Sequence, residues 1–190
     1  MNARVVPPQA LGVHCGSRLI GVAMLEPGYQ DDYQGRPAVR LTCGVGRIVQ
    51  SHLHPDGRYD ILLRGLARVR IVDEHAPARA YRQVRALRLD EPASTPAIAA
   101  EQQALIALCD RLAAALPSGG ETLRDLVRQE PEPGAACDVV ASALLTEIAE
   151  RQEVLETIDV RARIERVCDA VVTLLARFGG IQGGGAVGPN

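Results

Sequence analysis

Residues 43–74 read CGVGRIVQSHLHPDGRYDILLRGLARVRIVDE, and this stretch decides the fold. Pro55-Asp56-Gly57 carries turn chemistry, because proline presets φ and glycine accepts φ > 0 without steric cost. Apolar and β-branched runs flank it, Val45 to Val49 before and Tyr59 to Leu63 after, which predicts a β-hairpin. Gly65 interrupts the second run and predicts a bulge or bend. Beyond it the alternation resumes, with Val69 and Ile71 on one face and Arg68 and Arg70 on the other. A strand that bends and continues in a new direction curls a small sheet toward a barrel.

Working outward, Arg18 to Leu25 is an apolar run of strand length, closed by Glu26-Pro27-Gly28. Residues 1–17 show little periodicity and read as a loose leader. Tyr29 to Pro37 is a polar, exposed loop with two tyrosines, and Val39 to Cys43 is a short strand leading into the hairpin. Tyr81 to Leu89 is a last strand. Residues 91–96, with two prolines, form a linker, and after them the period changes to that of helices. Ile98 to Leu116, Thr122 to Gln129 and Asp138 to Arg151 are the first three helical stretches. Asp159 is the N-cap of a final helix whose stripe is Val160, Ile164, Val167 and Val171. The expected class is α+β: an antiparallel β domain over 18–90, a helical bundle over 97–178 and a flexible Gly-rich tail over 179–190.

At 190 residues the chain is long enough to bury a core, and 47% apolar with 23% charged residues is an ordinary composition. All 21 basic residues are arginine. A P-loop needs its lysine, and Schiff-base or Ser-Lys catalysis needs an amine that can deprotonate, so this chain lacks the residue for each. Arginine stays protonated and cannot serve as a base. Residues 1–90 hold 13 Arg against 8 acids, net +5, and residues 91–190 hold 8 Arg against 15 acids, net −7. The net charge of −2 gives no overall field toward nucleic acid or membrane. The five cysteines (Cys15, Cys43, Cys109, Cys137 and Cys168) form no CxxC pair and read as reduced, mostly buried thiols of a cytoplasmic protein. Neither a signal peptide nor an apolar run near the ~20 residues needed to span a bilayer is present.

Few constellations suggest chemistry. Gly44-Val45-Gly46 lacks the third glycine and the helix of a nucleotide loop, so it reads as a bend. His52 and His54 share a strand face without the further ligands a metal needs. His14-Cys15 is a sequence-neighbour pair in the leader, not a nucleophile–base geometry. Arg58, Arg64, Arg68 and Arg70 form the basic cluster, with Arg64 across the bend, suited to an acidic peptide or a phosphate backbone. No aromatic residue interleaves with them to stack on bases, which disfavours nucleic acid.

Four stretches together resemble the N-terminal, substrate-binding domain of Lon proteases, and more closely the small bacterial proteins made of that domain alone. They are RLIGVAMLEPGY (18–29), YQGRP (33–37), CGVGRI (43–48) and DGRYDILLRGLARVRI (56–71). The resemblance is specific from Arg18 to about Leu89 and looser through LETIDVRARI (155–164). It implies a PUA-like β-barrel followed by a helical bundle, and binding of unfolded or extended polypeptides, with a protease as a further partner. It implies no catalytic residue, cofactor or metal. The family's opening Leu-Pro-Leu-Phe-Pro-like strand has no counterpart in residues 1–17, so the chain reads as truncated and its barrel as incomplete. Strand pairing between copies is then expected. The candidate partner-binding residues are Arg58, Arg64, Arg68, Arg70 and Tyr29. An RNA-binding PUA-like module is the alternative, on fold analogy alone.

Overall fold

The structure, a computed structural model, describes residues 3–4, 18–33, 35–76, 81–91 and 98–182. Its β elements are β1 (Ala3–Arg4), β2 (Leu19–Val22), β3 (Thr42–Leu53), β4 (Tyr59–Glu74) and β5 (Val84–Leu89). All pair antiparallel in one sheet of order β1-β4-β3-β2, with β5 also on β4. Among the described residues the path is open, and the sheet does not close into a barrel. β1 pairs Ala3 with Ile61 and Arg4 with Asp60, so part of the leader adds to the sheet. Residues 1–2 and 5–17, with His14 and Cys15, lie outside the described residues.

The hairpin forms where the turn chemistry puts it. Gly57 takes φ +83°, Gly57 N–H donates to His54 O at 2.9 Å, and His54 N–H donates to Arg58 O at 2.7 Å. Its strands are longer than the apolar runs suggest, 12 residues in β3 and 16 in β4. The strand read over Val39–Cys43 is different: Val39 makes an isolated bridge to Leu25, and β3 begins at Thr42.

Three register shifts shape the sheet. Val45 opposes Ala67 and Gly46 opposes Gly65, so Leu66 is an extra residue on β4. Ile48 opposes Leu63 and Gln50 opposes Leu62, which leaves Val49 extra on β3. Ile71 opposes Ala86 and Asp73 opposes Arg85, which leaves Val72 extra on β4. The irregularity read at Gly65 is thus the Leu66 bulge, inside one continuous strand. Gly65 does not take a positive φ, and a Cβ there would meet open space. The close approach falls instead at Gly46, where a Cβ would stand 3.0 Å from Arg64 O and 3.3 Å from Leu63 Cβ. The sheet's hydrophobic cluster is small: Ile20, Ile48 and Ile61, with Leu63 packed against them.

The chain divides into two units, Met1–Asp90 and Glu91–Asn190. The second holds α1 (Ala99–Ala115), α2 (Gly120–Arg128), α3 (Pro133–Leu144), α4 (Ile148–Glu156) and α5 (Val160–Gln182). Its core gathers the stripes of α1 (Leu105, Cys109, Leu112), α3 (Cys137, Val140) and α5 (Ile164, Val167, Val171). Asp159 caps α5, its Oδ1 accepting from Ala162 N–H at 2.8 Å. α5 runs past residue 178 to Gln182; residues 183–190 lie outside the described residues.

The helix read over Asp138–Arg151 is two helices. Pro133 starts α3 at its first turn, where a missing N–H costs nothing. α3 stops at Leu145, whose extended backbone turns its side chain into the core. Arg151 then donates to the carbonyls of Leu145 and Ser142, satisfying acceptors that the break leaves without helical partners.

Candidate functional site

An antiparallel strand shows alternate residues on its two faces, and directly opposed residues share a face. On that basis Thr42, Gly44, Gly46 and Ile48 of β3 share a face with Arg70, Arg68, Gly65 and Leu63 of β4. The same face carries Ile20 through its pairing with Gly46, so the small core lies there. Arg68 and Arg70 occupy the far end of this face, opposite Leu89 and Leu87 of β5. Arg68 is half-buried and Arg70 exposed.

Arg64 is not with them. In an unbroken ladder it would oppose Ile48 on the core face. The extra residue Leu66 shifts the register, so Arg64 opposes Arg47 on the other face. Arg58 sits apart, at the hairpin turn, and its charge is already engaged. Its Nε donates to Asp56 Oδ2 at 2.7 Å, its backbone N–H donates to Asp56 Oδ1 at 3.1 Å, and these contacts hold the Asp56 carboxyl below its usual range. The four arginines read as one cluster therefore fall in three places.

Tyr29 opens a 3₁₀ turn, Tyr29–Asp32, after Gly28 at φ +86°. Its ring lies 6.1 Å from that of Tyr33, tilted by 51°. The segment that follows is tied to the end of β4. Glu74 accepts from Arg82 Nε at 2.7 Å and from Nη2 at 2.6 Å, and also pairs with Arg36. Arg82 Nη1 reaches Pro37 O at 2.6 Å. The Arg82 hydrogen bond is the main cause of a lowered Glu74 pKa.

The apolar surface was not legible in the periodicity. Among the described residues fifteen large apolar side chains are exposed, and twelve of them belong to the first unit. The three bulges account for part of it: Val49, Leu66 and Val72, the extra residues, are 45–48% exposed. At the hairpin end Leu53 opposes Tyr59, both about half exposed. The signal available in the sequence was Ile61-Leu62-Leu63, three consecutive apolar residues that cannot all face one side of a strand. Leu62 is exposed where Ile61 is buried. The outer edge of β4 also has a gap. β1 ends its pairing at Ile61 and β5 begins at Arg68, so no strand pairs with residues 62–67 on that side among the described residues.

The remaining titratable groups offer little chemistry. His54 Nε2 lies 2.8 Å from Asp60 Oδ2, and the His52 ring packs edge-on against His54 at 4.9 Å. No group of three His, Cys, Asp or Glu side chains is placed to hold a metal among the described residues. Burial pushes the thiols of Cys109 and Cys137 up to about 12 and raises that of Cys43, so none is a ready nucleophile. Among the described residues no helix is long and apolar enough to cross a membrane.

Residues 15–173 match the family described as the ATP-dependent protease La (LON) substrate-binding domain. The Lon protease of Dictyoglomus thermophilum is 30% identical over 154 residues, covering 80% of this chain and 19% of that protein. The Lon protease of Methylocella silvestris is 33% identical over 134 residues, 70% of this chain and 16% of that one. The chain therefore spans about a fifth of the length of these relatives. The N-terminal domain of Mycobacterium avium complex Lon protease superposes with a TM-score of 0.60 at 22% identity, over 81% of this chain and 89% of that one, a likeness of fold. On the extent of the family match, the chain belongs to the ATP-dependent protease La (LON) substrate-binding domain family.

Proposed function

We propose that this chain captures unfolded or extended polypeptide segments, without cleaving them, on the apolar surface of the β3–β4 hairpin. The observation that carries this reading is the set of aliphatic side chains that the bulges raise into solvent. An apolar surface of this kind marks an interaction site. The edge of β4 that no described strand covers supplies backbone N–H and C=O groups for an added strand. A six-residue gap suits a strand of ordinary length. Of the candidate residues, Arg58 at the hairpin turn and Arg64, two residues before Leu66, border this surface, while Arg68 and Arg70 belong to the core face and Tyr29 to the turn after Gly28. In the same reading a separate protease takes over the captured segment in the cytoplasm, where the free thiols of Cys43, Cys109, Cys137 and Cys168 stay reduced.

The test is binding of a permanently unfolded, carboxymethylated protein, read by fluorescence anisotropy, against the same protein folded. Binding of the unfolded form alone is expected. The triple variant Val49→Ser, Leu53→Ser, Leu66→Ser, all at exposed positions, should weaken it at least tenfold with the fold intact. Equal binding by the variant, or no binding by the parent chain, would overturn the proposal. Sedimentation of the free chain reports pairing between copies.

A further inference from the structure

Arg47 and Arg64 stand directly opposite each other across β3 and β4. Both are exposed, and neither has an acidic partner among the described residues. Opposed residues on an antiparallel pair have Cβ atoms about 5 Å apart, and like charges there are destabilising. Arginine cannot relieve the repulsion by losing a proton. The placement is a product of the Leu66 bulge, which turns Arg64 away from Ile48 and sets it against a second guanidinium.

Other arginines of the same unit are treated differently. Arg36 and Arg82 share Glu74, Arg58 has Asp56, Arg85 lies 3.6 Å from Asp73, and Arg88 lies 2.6 Å from Asp90. Where Arg36 and Arg82 converge, Glu74 stands between them; where Arg47 and Arg64 converge, no carboxylate does so among the described residues. Exposed aliphatic side chains flank the pair: Leu19 opposes Arg47 from β2, and Leu66 follows Arg64 by two residues.

We propose that the Arg47–Arg64 pair is a carboxylate-binding site, through which the chain selects extended segments that carry an Asp or Glu among apolar residues. The inference rests on the capture function proposed above and names its substrate class. A carboxylate set between the two guanidiniums accepts from both in charge-assisted hydrogen bonds. It also removes the repulsion that the free protein carries, so binding gains twice from one group. Leu19 and Leu66 receive the apolar neighbours of that residue. A phosphate backbone would feel the same charge, but bases need aromatic faces to stack on, and the flanks here are aliphatic.

Two fluorescein-labelled, unstructured peptides of the same Leu/Val composition, one with Glu and one with Gln at the same positions, test this on the full chain. The Glu peptide should bind about fivefold tighter at low salt, the ratio falling toward one as salt rises. Arg47→Gln and Arg64→Gln should each bring the ratio to about one, the Glu peptide binding each variant no tighter than the Gln peptide does. Arg64→Glu should lose the preference yet melt higher than the parent, because it converts repulsion into a cross-strand ion pair. That thermal gain separates loss of selectivity from misfolding. Equal binding of the two peptides by the parent chain, or a ratio that survives both Gln variants, overturns the carboxylate site while leaving capture standing. Failure of both peptides to bind overturns capture and this site together. A uridine oligonucleotide that binds tighter and displaces the Glu peptide assigns the pair to phosphate and overturns the proposal.

Discussion

Arg163 is fully buried in α5, and its Nη2 donates to Glu91, the residue that opens the helical unit. Its Nη1 donates to Thr157 O at 3.1 Å, and its Nε lies 3.3 Å from Asp138 Oδ1, an ion pair by distance though not an aligned hydrogen bond. Gly134 makes room for it: a Cβ there would come within 2.6 Å of both the Arg163 guanidinium and Glu91. One guanidinium thus joins α3, the α4–α5 turn and the start of the unit. Breaking a buried pair by removing one partner costs about 3–5 kcal/mol. Arg163→Ala should lose stability on that scale in urea unfolding. A loss below about 1 kcal/mol, the range of surface pairs, would show that water already screens the pair.

The glycines of the hairpin should separate cleanly. Gly46→Ala drives a Cβ toward the Arg64 carbonyl, a backbone atom that cannot swing away, and should cost about 1–3 kcal/mol. Gly65→Ala meets open space at a backbone that other residues adopt, and should gain a few tenths of a kcal/mol through the unfolded state. Denaturation midpoints of the two variants decide it.

Acid should weaken the first unit through Glu74. Its folded pKa is depressed by Arg82 and Arg36, so its contribution to stability is present above the unfolded value of about 4.3. The contribution is lost as pH falls through the lower, folded value. Unfolding between neutral pH and pH 3 should show this decline, and Glu74→Gln should be weaker at neutral pH and flatter below it.

Cys109 and Cys137, with pKa values near 12 and no solvent access, should resist iodoacetamide in the folded protein at pH 8. Both should alkylate once urea unfolds the chain. Peptide mass spectrometry reads the two sites separately.

The hairpin was legible because Pro55-Asp56-Gly57 is local chemistry, and α5 because its stripe and the Asp159 cap are too. The fold family was legible from motifs in that hairpin and in residues 18–37 before it. The bulges were not, since an extra residue is defined only against a partner strand. The sequence therefore grouped Arg64, across the bend, with Arg68 and Arg70, whereas the register sets it opposite Arg47. The break between α3 and α4 carries no proline or glycine; its signal is Arg151, whose role depends on carbonyls that only the broken helix exposes. Arg163 left a trace, an arginine three residues after Val160 inside the stripe, which marks a buried cation wherever a carboxylate can reach it.

Among the described residues the two hydrophobic clusters are unequal: three buried isoleucines in the sheet, and sixteen buried residues in the helices. Opening free energy follows buried apolar contacts, so the strands breathe first, and their amide hydrogens exchange well before those of α1 and α5. Warming or mild denaturant then removes the hairpin surface while the helical circular dichroism stays almost unchanged. A sample judged intact by its helix signal can already have lost the part that binds.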